Sequence, residues 1–355
     1  MLLSAKSIRP AARFSPCKWG HNSYPRTTCP TTLLDVFLTC DTEVWCPGWD
    51  SLDASFPESF QRYVYGRASD GKSYGLPFQL STLRDHGLTG VFFVEPLFSG
   101  RFGIEPLQEI VGLIREGGQE VQLHLHTEWA DEARVRLLEH VTEKRQHIRH
   151  FSTDEQEALL RAGAALIEAV GGGHPTAFRA GSFALNLDTL TALARCGIRI
   201  DSSYNATMLG PTSGVANGKL LHDVTQLGDI VEYPISVFTD GFGRLRHAQI
   251  GACSFEEMRQ ALCAALEAKH RAFVVVFHNF ELMNSSKTDC DWIVTRRFER
   301  LCRFLDDNRA HFRTRGFRDA HQPVDAAPDA GPRVQVGALA TGWRLIEQAT
   351  RRLSA

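Results

Sequence analysis

Short apolar segments alternate with amphipathic segments about seven times along the central part of the chain. The clearest apolar segments read LLDVFLTC, LTGVFFVEP, VQLHLH and RAFVVVFH. Short buried strands that are separated by helices are typical of a parallel sheet whose two faces are both covered. Because the alternating region spans roughly 280 residues and polar residues follow several strands, the pattern favours a closed β/α barrel over an open sheet.

Two segments between the predicted strands differ in character. Residues 152–170 have helical periodicity, with Thr153 as the predicted N-cap and Gln156 completing a capping box. Residues 44–75 are rich in Trp, Gly, Ser and Asp and lack clear periodicity. We therefore expect a long loop there, and long loops beside a strand end are often functional.

The composition changes at both ends of the alternating region. Residues 1–34 contain no Asp or Glu but several Lys and Arg, and residues 322–332 are rich in Pro, Ala and Asp. The pattern predicts a disordered basic N-terminal extension over residues 1–32 and a β/α barrel over residues 33–321. Residues 322–355 are expected to form a linker and a C-terminal tail helix.

Charge and cysteine content exclude several functions. The net charge is −2, from 39 Lys and Arg and 41 Asp and Glu. That balance gives no electrostatic basis for binding nucleic acid, and no apolar run approaches the roughly 20 residues of a transmembrane helix. The nine cysteines form no CxxC pair, and no apolar segment of a secretory signal is present. We therefore expect a cytoplasmic protein with reduced thiols, and the sequence leaves its oligomeric state open.

The segment QEVQLHLHTEW carries the strongest functional signal. Residues two apart in a strand share a face, so His124 and His126 project together, opposite the leucines. Two imidazoles on one strand face suit a zinc site, although an isolated pair is more often a solvated polar face. Glu128 continues the alternation if the strand extends that far, and it folds toward His124 if the chain turns.

Other strand ends carry chemically distinctive side chains. Asp41 and Glu43 end the first strand, Arg179 lies in TAFRAG, and His278 ends the most apolar strand. Alone, each of these residues is more often structural than functional. Because the carboxyl ends of all strands of a parallel barrel lie on one side, we expect these residues to be neighbours of His124 and His126.

These segments together resemble the polysaccharide deacetylases, the NodB-homology carbohydrate esterases. The similarity rests on LTCDTE, GQEVQLHLHTEW, FRAGSFALN, IVEYPIS and VVFHNFEL, which occur in the order of the family motifs. It is greatest to a divergent branch with DTE and HLHxxW motifs. The resemblance implies a distorted (β/α) barrel of about seven parallel strands. It also implies a divalent metal, most often Zn²⁺, and an acetylated saccharide as substrate.

The resemblance also implies ligands for the metal. Most members of the family carry the acidic metal ligand directly after the first Asp, where this chain has Thr42. Branches that carry the acid two residues after the Asp place the ligand at Glu43. His124 matches the first His of the second motif. Glu128 occupies the position of the second His, so His126 is the expected replacement ligand and Glu128 is the alternative.

Catalytic and substrate-binding roles follow from the same resemblance. Asp41 matches the catalytic base, Arg179 the arginine that pairs with it, and His278 the general acid. Asp201 stands near the position of a residue that orients this histidine. The aromatic residues Trp129 and Phe183 border the predicted site and are candidates to stack on a sugar, with core packing as the alternative.

The predicted activity is hydrolysis that removes an acetyl group from an acetamido or O-acetyl sugar of a polysaccharide or a saccharide precursor. The sequence leaves two alternatives open. The same fold could hydrolyse a non-sugar amide, or a degenerate barrel could bind sugars without turnover. The sugar and the pathway are not determined by the sequence.

Overall fold

The computed structural model describes residues 33–139, 143–208, 215, 220–320 and 334–353 of the 355-residue chain. These residues belong to one compact unit. The predicted N-terminal extension lies outside the described residues, and so does the predicted linker up to residue 333. The domain boundaries after residues 32 and 321 therefore stay predictions.

Seven strands form a continuous parallel sheet. The eleven strands in the described residues are β1 (Leu34–Thr42), β2 (Gly90–Val94), β3 (Glu120–Leu125), β4 (Ala177–Ala180), β5 (Ile200–Asp201), β6 (Thr225–Leu227), β7 (Ile230–Glu232), β8 (Val237–Thr239), β9 (Leu245–His247), β10 (Ala272–His278) and β11 (Phe312–Thr314). The parallel strands lie in the order β10, β1, β2, β3, β4, β5 and β7. β6 is antiparallel to β7, and β11 lies parallel to the start of β1. This mixed sheet curls into a half-barrel with helices, which confirms the predicted distorted β/α barrel.

The two end strands of the parallel sheet, β7 and β10, are not paired with each other in the described part of the chain. Ser236, which follows β7, forms hydrogen bonds to β10 instead. Its backbone N–H donates to the carbonyl of Val274 at 3.2 Å, and its hydroxyl accepts from the N–H of Val274 at 2.8 Å. Its carbonyl accepts from the N–H of Ala248 at 2.8 Å. Irregular backbone after β7 is thereby bonded to β10.

Strand periodicity separates two cores. Val36 and Leu38 belong to the large apolar cluster, whereas Phe37 belongs to a smaller second cluster with Val274 and Val276. Since side chains two apart share a face, the face of Phe37 also carries Asp41, and the face of Val276 carries His278. The polar residues of the site therefore continue one apolar face of the sheet.

Nine α-helices occur in the described residues. They are α1 (Leu52–Phe60), α2 (Leu76–Asp85), α3 (Ser99–Phe102), α4 (Glu105–Glu116), α5 (Thr153–Ala169), α6 (Leu187–Arg195), α7 (Phe255–Glu267), α8 (Trp292–Asp307) and α9 (Ala338–Leu353). Among the described residues, none of these helices has both the length and the apolar character that crossing a membrane requires.

Two local predictions were wrong. α1 and a π-helix over Gln61–Tyr65 occupy part of the predicted loop, because Leu52, Phe56 and Phe60 recur every four residues and are buried. The helical pattern covers only nine residues and continues into a π-helix, so periodicity did not predict it. In addition, Ser152 caps α5, and Glu155 completes its capping box, one residue earlier than predicted.

The tail helix α9 is present and contacts the barrel through charged side chains. Arg344 is buried and donates to Asp240 at 2.9 Å and to Glu257 at 3.0 Å. Trp343 and Ile346 on the same helix are more than half exposed. The docking face is therefore the face of Arg344, not the apolar face.

Candidate metal and catalytic site

A cavity of about 400 Å³ opens at the carboxyl ends of the parallel strands. The lining residues are Asp41, Glu43, Trp45, His124, His126, Glu128, Gln146, Ala180, Ser182, Phe183 and His278. Most of the predicted site residues thus meet in one cavity although they lie far apart in sequence. They meet because β1, β3, β4 and β10 are parallel and end on the same side of the sheet.

Three potential ligand atoms converge within this cavity. The Oε1 atom of Glu43 lies 3.0 Å from Nε2 of His124 and 3.0 Å from Nε2 of His126. The ligand atoms of these three buried residues all lie within 4.8 Å of one another. One carboxylate oxygen and two imidazole nitrogens are a donor set that zinc favours.

In each of these three side chains, the second polar atom, which does not face the other two residues, has its own hydrogen-bond partner. Nδ1 of His124 lies 2.8 Å from the carbonyl oxygen of Arg179, and Nδ1 of His126 lies 3.3 Å from Oε2 of Glu128. The indole N–H of Trp45 donates to Oε2 of Glu43 at 2.6 Å. Such partners fix the tautomer and orientation of ligand side chains.

The position of Glu128 follows from where β3 ends. β3 stops at Leu125, and residues Thr127–Trp129 form a 3₁₀ turn. The turn carries the Glu128 carboxylate behind the ring of His126, instead of extending the strand alternation. Glu128 therefore contacts the rear nitrogen of His126 and is not part of the group of three converging residues.

Glycine at position 181 permits this arrangement. A Cβ atom at Gly181 would lie 2.8 Å from Nδ1 of His126 and 2.8 Å from the carbonyl oxygen of Leu125. The next two residues, Ser182 and Phe183, have φ values of 55° and 57° and line the cavity. Left-handed conformations of non-glycine residues cost on the order of 1–3 kcal/mol and are common at functional sites.

Opposite pKa shifts couple Glu43 and His126. Burial would raise the pKa of Glu43, but the charge of His126 and hydrogen bonds from both histidines lower it well below its usual value. Burial would lower the pKa of His126, but Glu43 and Glu128 raise it well above its usual value. Nε2 of His126 faces Glu43 and its Nδ1 faces Glu128, so a divalent cation bound at Nε2 would take the place of a proton on that nitrogen.

Asp41 forms a buried ion pair with Arg179. Nη1 of Arg179 donates to Oδ1 of Asp41 at 2.7 Å and to the hydroxyl of Thr39 at 2.8 Å. The other side of the guanidinium donates to the carbonyl and the hydroxyl of Ser202 at 2.8 and 2.9 Å. The guanidinium carbon also lies 4.3 Å from the centre of the Phe93 ring. Arg179 thus has a single orientation, and it holds one oxygen of Asp41.

His278 is paired with Glu281, which the sequence analysis missed. Nδ1 of His278 lies 3.2 Å from Oε2 of Glu281, three residues later. Burial would lower the pKa of His278, but the hydrogen bond to Glu281 and the charges of Glu43, Glu281 and Asp41 raise it to about 9. The HNFE spacing was the available signal, because a turn after a strand brings residues three apart together.

Asp201 does not orient His278, which corrects that expectation. The Asp201 carboxylate accepts from the hydroxyl and the N–H of Ser203 at 2.7 and 3.1 Å. Its neighbour across the sheet is Glu232, and both side chains are fully buried. Because β5 ends at Asp201, this carboxylate stays within the sheet and does not line the cavity.

The two aromatic candidates differ in position. Phe183 lines the cavity, whereas Trp129 is 1% exposed and packs against Trp45 and Trp49. Trp129 therefore supports the cavity wall from behind and is not available to stack on a ligand. Trp45, which lies in the segment predicted as a loop, is the tryptophan that borders the cavity.

Comparison with known proteins identifies the fold. No family model and no curated protein matches the sequence. A candidate polysaccharide deacetylase from Mycobacterium smegmatis has a similar structure, with 20% identity, a TM-score of 0.51, and coverage of 84% of this chain and 93% of that chain. A family 4 carbohydrate esterase from Streptomyces lividans in complex with acetate matches with 13% identity, a TM-score of 0.40, and coverage of 81% and 93%. The chain has the polysaccharide deacetylase fold, and the resemblance found in the sequence is confirmed at the level of the fold.

Proposed function

We propose that the chain is a metal-dependent deacetylase that hydrolyses the acetyl group of an acetamido or O-acetyl sugar. The observation that carries the proposal is the convergence of Glu43, His124 and His126 beside Asp41 and His278 in one cavity. A triad of possible metal ligands next to a potential base and a potential acid is the arrangement that metal-assisted hydrolysis requires.

The proposed metal ligands are Oε1 of Glu43 and the Nε2 atoms of His124 and His126. One carboxylate oxygen and two imidazole nitrogens fit zinc. The other polar atom of each side chain is hydrogen-bonded to Trp45, Arg179 or Glu128, which leaves the three ligand atoms directed toward one another. A divalent metal at this point would polarise the acyl carbonyl and increase the acidity of water.

A second group of potential ligands, Asp41, Glu43 and His278, also lies within 4.8 Å. We assign Asp41 and His278 to proton transfer because each already has a strong partner, Arg179 for Asp41 and Glu281 for His278. The two residues are direct neighbours across β1 and β10. A base and an acid are thus held side by side next to the ligand triad.

In this assignment, Asp41 accepts the proton of the attacking water. Arg179 holds Oδ1 of Asp41, which leaves Oδ2 as the oxygen that accepts the proton. His278 then donates a proton to the leaving nitrogen or oxygen. The Nδ1 atom of His278 is directed to Glu281, so its Nε2 is the nitrogen that donates.

The fold and the cavity together support a class of substrate. The cavity volume of about 400 Å³ lies within the range of small-ligand pockets, and Trp45 and Phe183 are among its lining residues. Aromatic rings commonly pack on the apolar faces of ligands, while carboxylates and imidazoles bind the polar groups. These features support an acetylated saccharide and leave the identity of the sugar open.

Metal analysis combined with acetate release from a substrate panel tests the proposal. We expect about one zinc per purified chain and acetate release from at least one acetamido or O-acetyl sugar. Release only from non-sugar amides would favour the alternative amidohydrolase. A chain that binds sugars but neither binds zinc nor releases acetate would be a degenerate barrel, and the proposal would be wrong.

A further inference from the structure

We infer that Trp45 is a positioning residue that makes Glu43 a one-oxygen metal ligand. This inference rests on the proposed function, since it assumes that Glu43 binds a metal. The two oxygens of the Glu43 carboxylate have different partners. Oε1 lies 3.0 Å from each histidine Nε2, whereas Oε2 accepts the indole N–H of Trp45 at 2.6 Å.

The chemistry of the indole explains why Trp45 divides the carboxylate in this way. A carboxylate can bind a cation through one oxygen or through both. The indole N–H is only a donor and cannot bind a metal, and its hydrogen bond to an anionic oxygen is strengthened by the charge. With Oε2 occupied by this donor, Oε1 is the oxygen left for the metal.

The ring of Trp45 is itself held in place. It meets the ring of His126 edge-on, with centroids 4.7 Å apart and an angle of 88°. It also stacks on the buried Trp129, with centroids 6.0 Å apart and an angle of 27°. Trp45 therefore contacts two of the three proposed ligands and links their orientation to the aromatic cluster behind them.

The backbone of Glu43 is held by other residues, so the indole of Trp45 orients only the carboxylate of Glu43. The N–H of Glu43 donates to the side-chain oxygen of Asn279 at 3.0 Å, and the amide of Asn279 donates to the carbonyl of Glu43 at 3.0 Å. Loss of the indole N–H should consequently release the Glu43 side chain without displacing its main chain.

Trp45→Phe tests the inference, because phenylalanine keeps an aromatic ring and removes the donor. Trp49→Phe is the matched control, because Trp49 belongs to the same aromatic cluster but does not line the cavity. Zinc affinity is measured on the full chain by competition with a chromophoric chelator. We expect about 10-fold weaker binding for Trp45→Phe, within the range for lost partners of ligands, and unchanged binding for Trp49→Phe.

Cobalt substitution adds a readout that a packing role would not change. In Trp45→Phe, Oε2 becomes free to bind the metal, which raises the coordination number and weakens the visible absorption of Co²⁺. Wild-type affinity and an unchanged cobalt spectrum in Trp45→Phe would overturn the inference while leaving the proposed function intact. If the wild-type chain binds neither metal, the proposed function itself fails.

A measurement on the unmodified cavity covers the case in which Trp45→Phe does not fold. In protein labelled with ¹⁵N-tryptophan, the Trp45 indole signal, assigned through its nuclear Overhauser effects to the His126 ring, should exchange slowly and should shift when zinc is added. An indole signal that exchanges as fast as that of an exposed tryptophan and does not respond to zinc would overturn the inference.

Discussion

The carboxylate of Glu281 binds both the backbone and the ring of His278. Its Oε2 atom accepts the N–H of His278 at 2.9 Å and lies 3.2 Å from Nδ1 of the ring. Its Oε1 atom accepts from the N–H of Gly251 at 2.6 Å and from the amide of Gln249 at 3.0 Å. Glu281 is therefore anchored on one side and holds His278 on the other, which gives the imidazole a defined orientation.

Glu281→Gln should move the alkaline limb of the pH–rate profile to lower pH. Burial opposes the charge on His278, but Glu281 and the nearby acids raise the pKa of His278 to about 9, so the acid is protonated below that pH and is lost above it. Removing the Glu281 charge lowers this pKa, by about 1–2 units. The measurement is kcat/KM against pH on an acetamido sugar at saturating zinc, with the exposed Glu267→Gln as control. An alkaline limb that stays in place would exclude this role of Glu281.

Metal content should separate His126 from Glu128 as the third ligand. We expect His124→Ala and His126→Ala to purify without stoichiometric zinc, because each removes a nitrogen that faces Glu43. Glu128→Ala should keep the metal with about 10-fold lower affinity, because it removes only the partner of His126 Nδ1. Zinc is measured by elemental analysis and chelator competition. Full zinc in His126→Ala together with its loss in Glu128→Ala would reverse the assignment.

The sequence predicted the parts of this site that lie on strands. Asp41, His124, Arg179 and His278 are strand residues, and a period of two determines which face each side chain shares. Glu43 and His126 directly follow strands and were still predicted, whereas Glu281 and Trp45 lie further along, where the path of the chain decides their position and periodicity gives no prediction. The misplacement of Trp129 has the same cause, since a 3₁₀ turn replaces the continued strand and buries the indole.

Asp201 shows a different limit of prediction from sequence. The resemblance placed it near His278, but β5 contains only two residues, and the sheet pairs Asp201 with Glu232. Pairing between residues that lie 31 positions apart depends on the sheet order, which local patterns do not encode. The fold class needed only the alternation of strands and helices, and for that reason it was predictable.

Asp41→Asn should abolish most activity and leave metal binding intact. Asparagine keeps the size of the side chain and can still accept a hydrogen bond from Arg179, but it cannot take a proton from water. We expect kcat to fall about 10²- to 10⁴-fold, the usual contribution of a general base. Zinc content and kcat are measured on the same preparation. Wild-type kcat in Asp41→Asn would exclude Asp41 as the base.

Arg344→Met should destabilise the protein although Arg344 lies in the tail helix. The side chain is 6% exposed and pairs with Asp240 and Glu257, which are 1% and 0% exposed. Removing the arginine leaves two buried carboxylates without their cation, a change that costs about 3–5 kcal/mol of unfolding free energy. Urea denaturation compares it with Arg352→Met, which alters an exposed residue of the same helix. Equal midpoints for the two variants would show that α9 does not stabilise the barrel.

Glu232→Gln should stabilise the protein increasingly as the pH rises. Asp201 and Glu232 are fully buried cross-strand neighbours, and Oε1 of Glu232 already accepts the N–H of Tyr204 at 3.1 Å. Burial and the charge of Asp201 raise the pKa of Glu232 well above its usual 4.5, and burial also raises the pKa of Asp201. The folded pair therefore keeps a proton at a pH where the unfolded chain has lost it.

The sign of the pH dependence follows from this retained proton. Above pH 4.5 this pair binds more protons in the folded chain than in the unfolded one, so its contribution to stability falls as pH rises, at up to about 1.4 kcal/mol per pH unit. Glutamine at position 232 donates to Asp201 at every pH and removes this loss. Urea denaturation between pH 5 and pH 8 should therefore show a growing advantage of Glu232→Gln, with the exposed Glu116→Gln as control. An advantage that is constant across this range would mean that the pair does not retain a proton on folding.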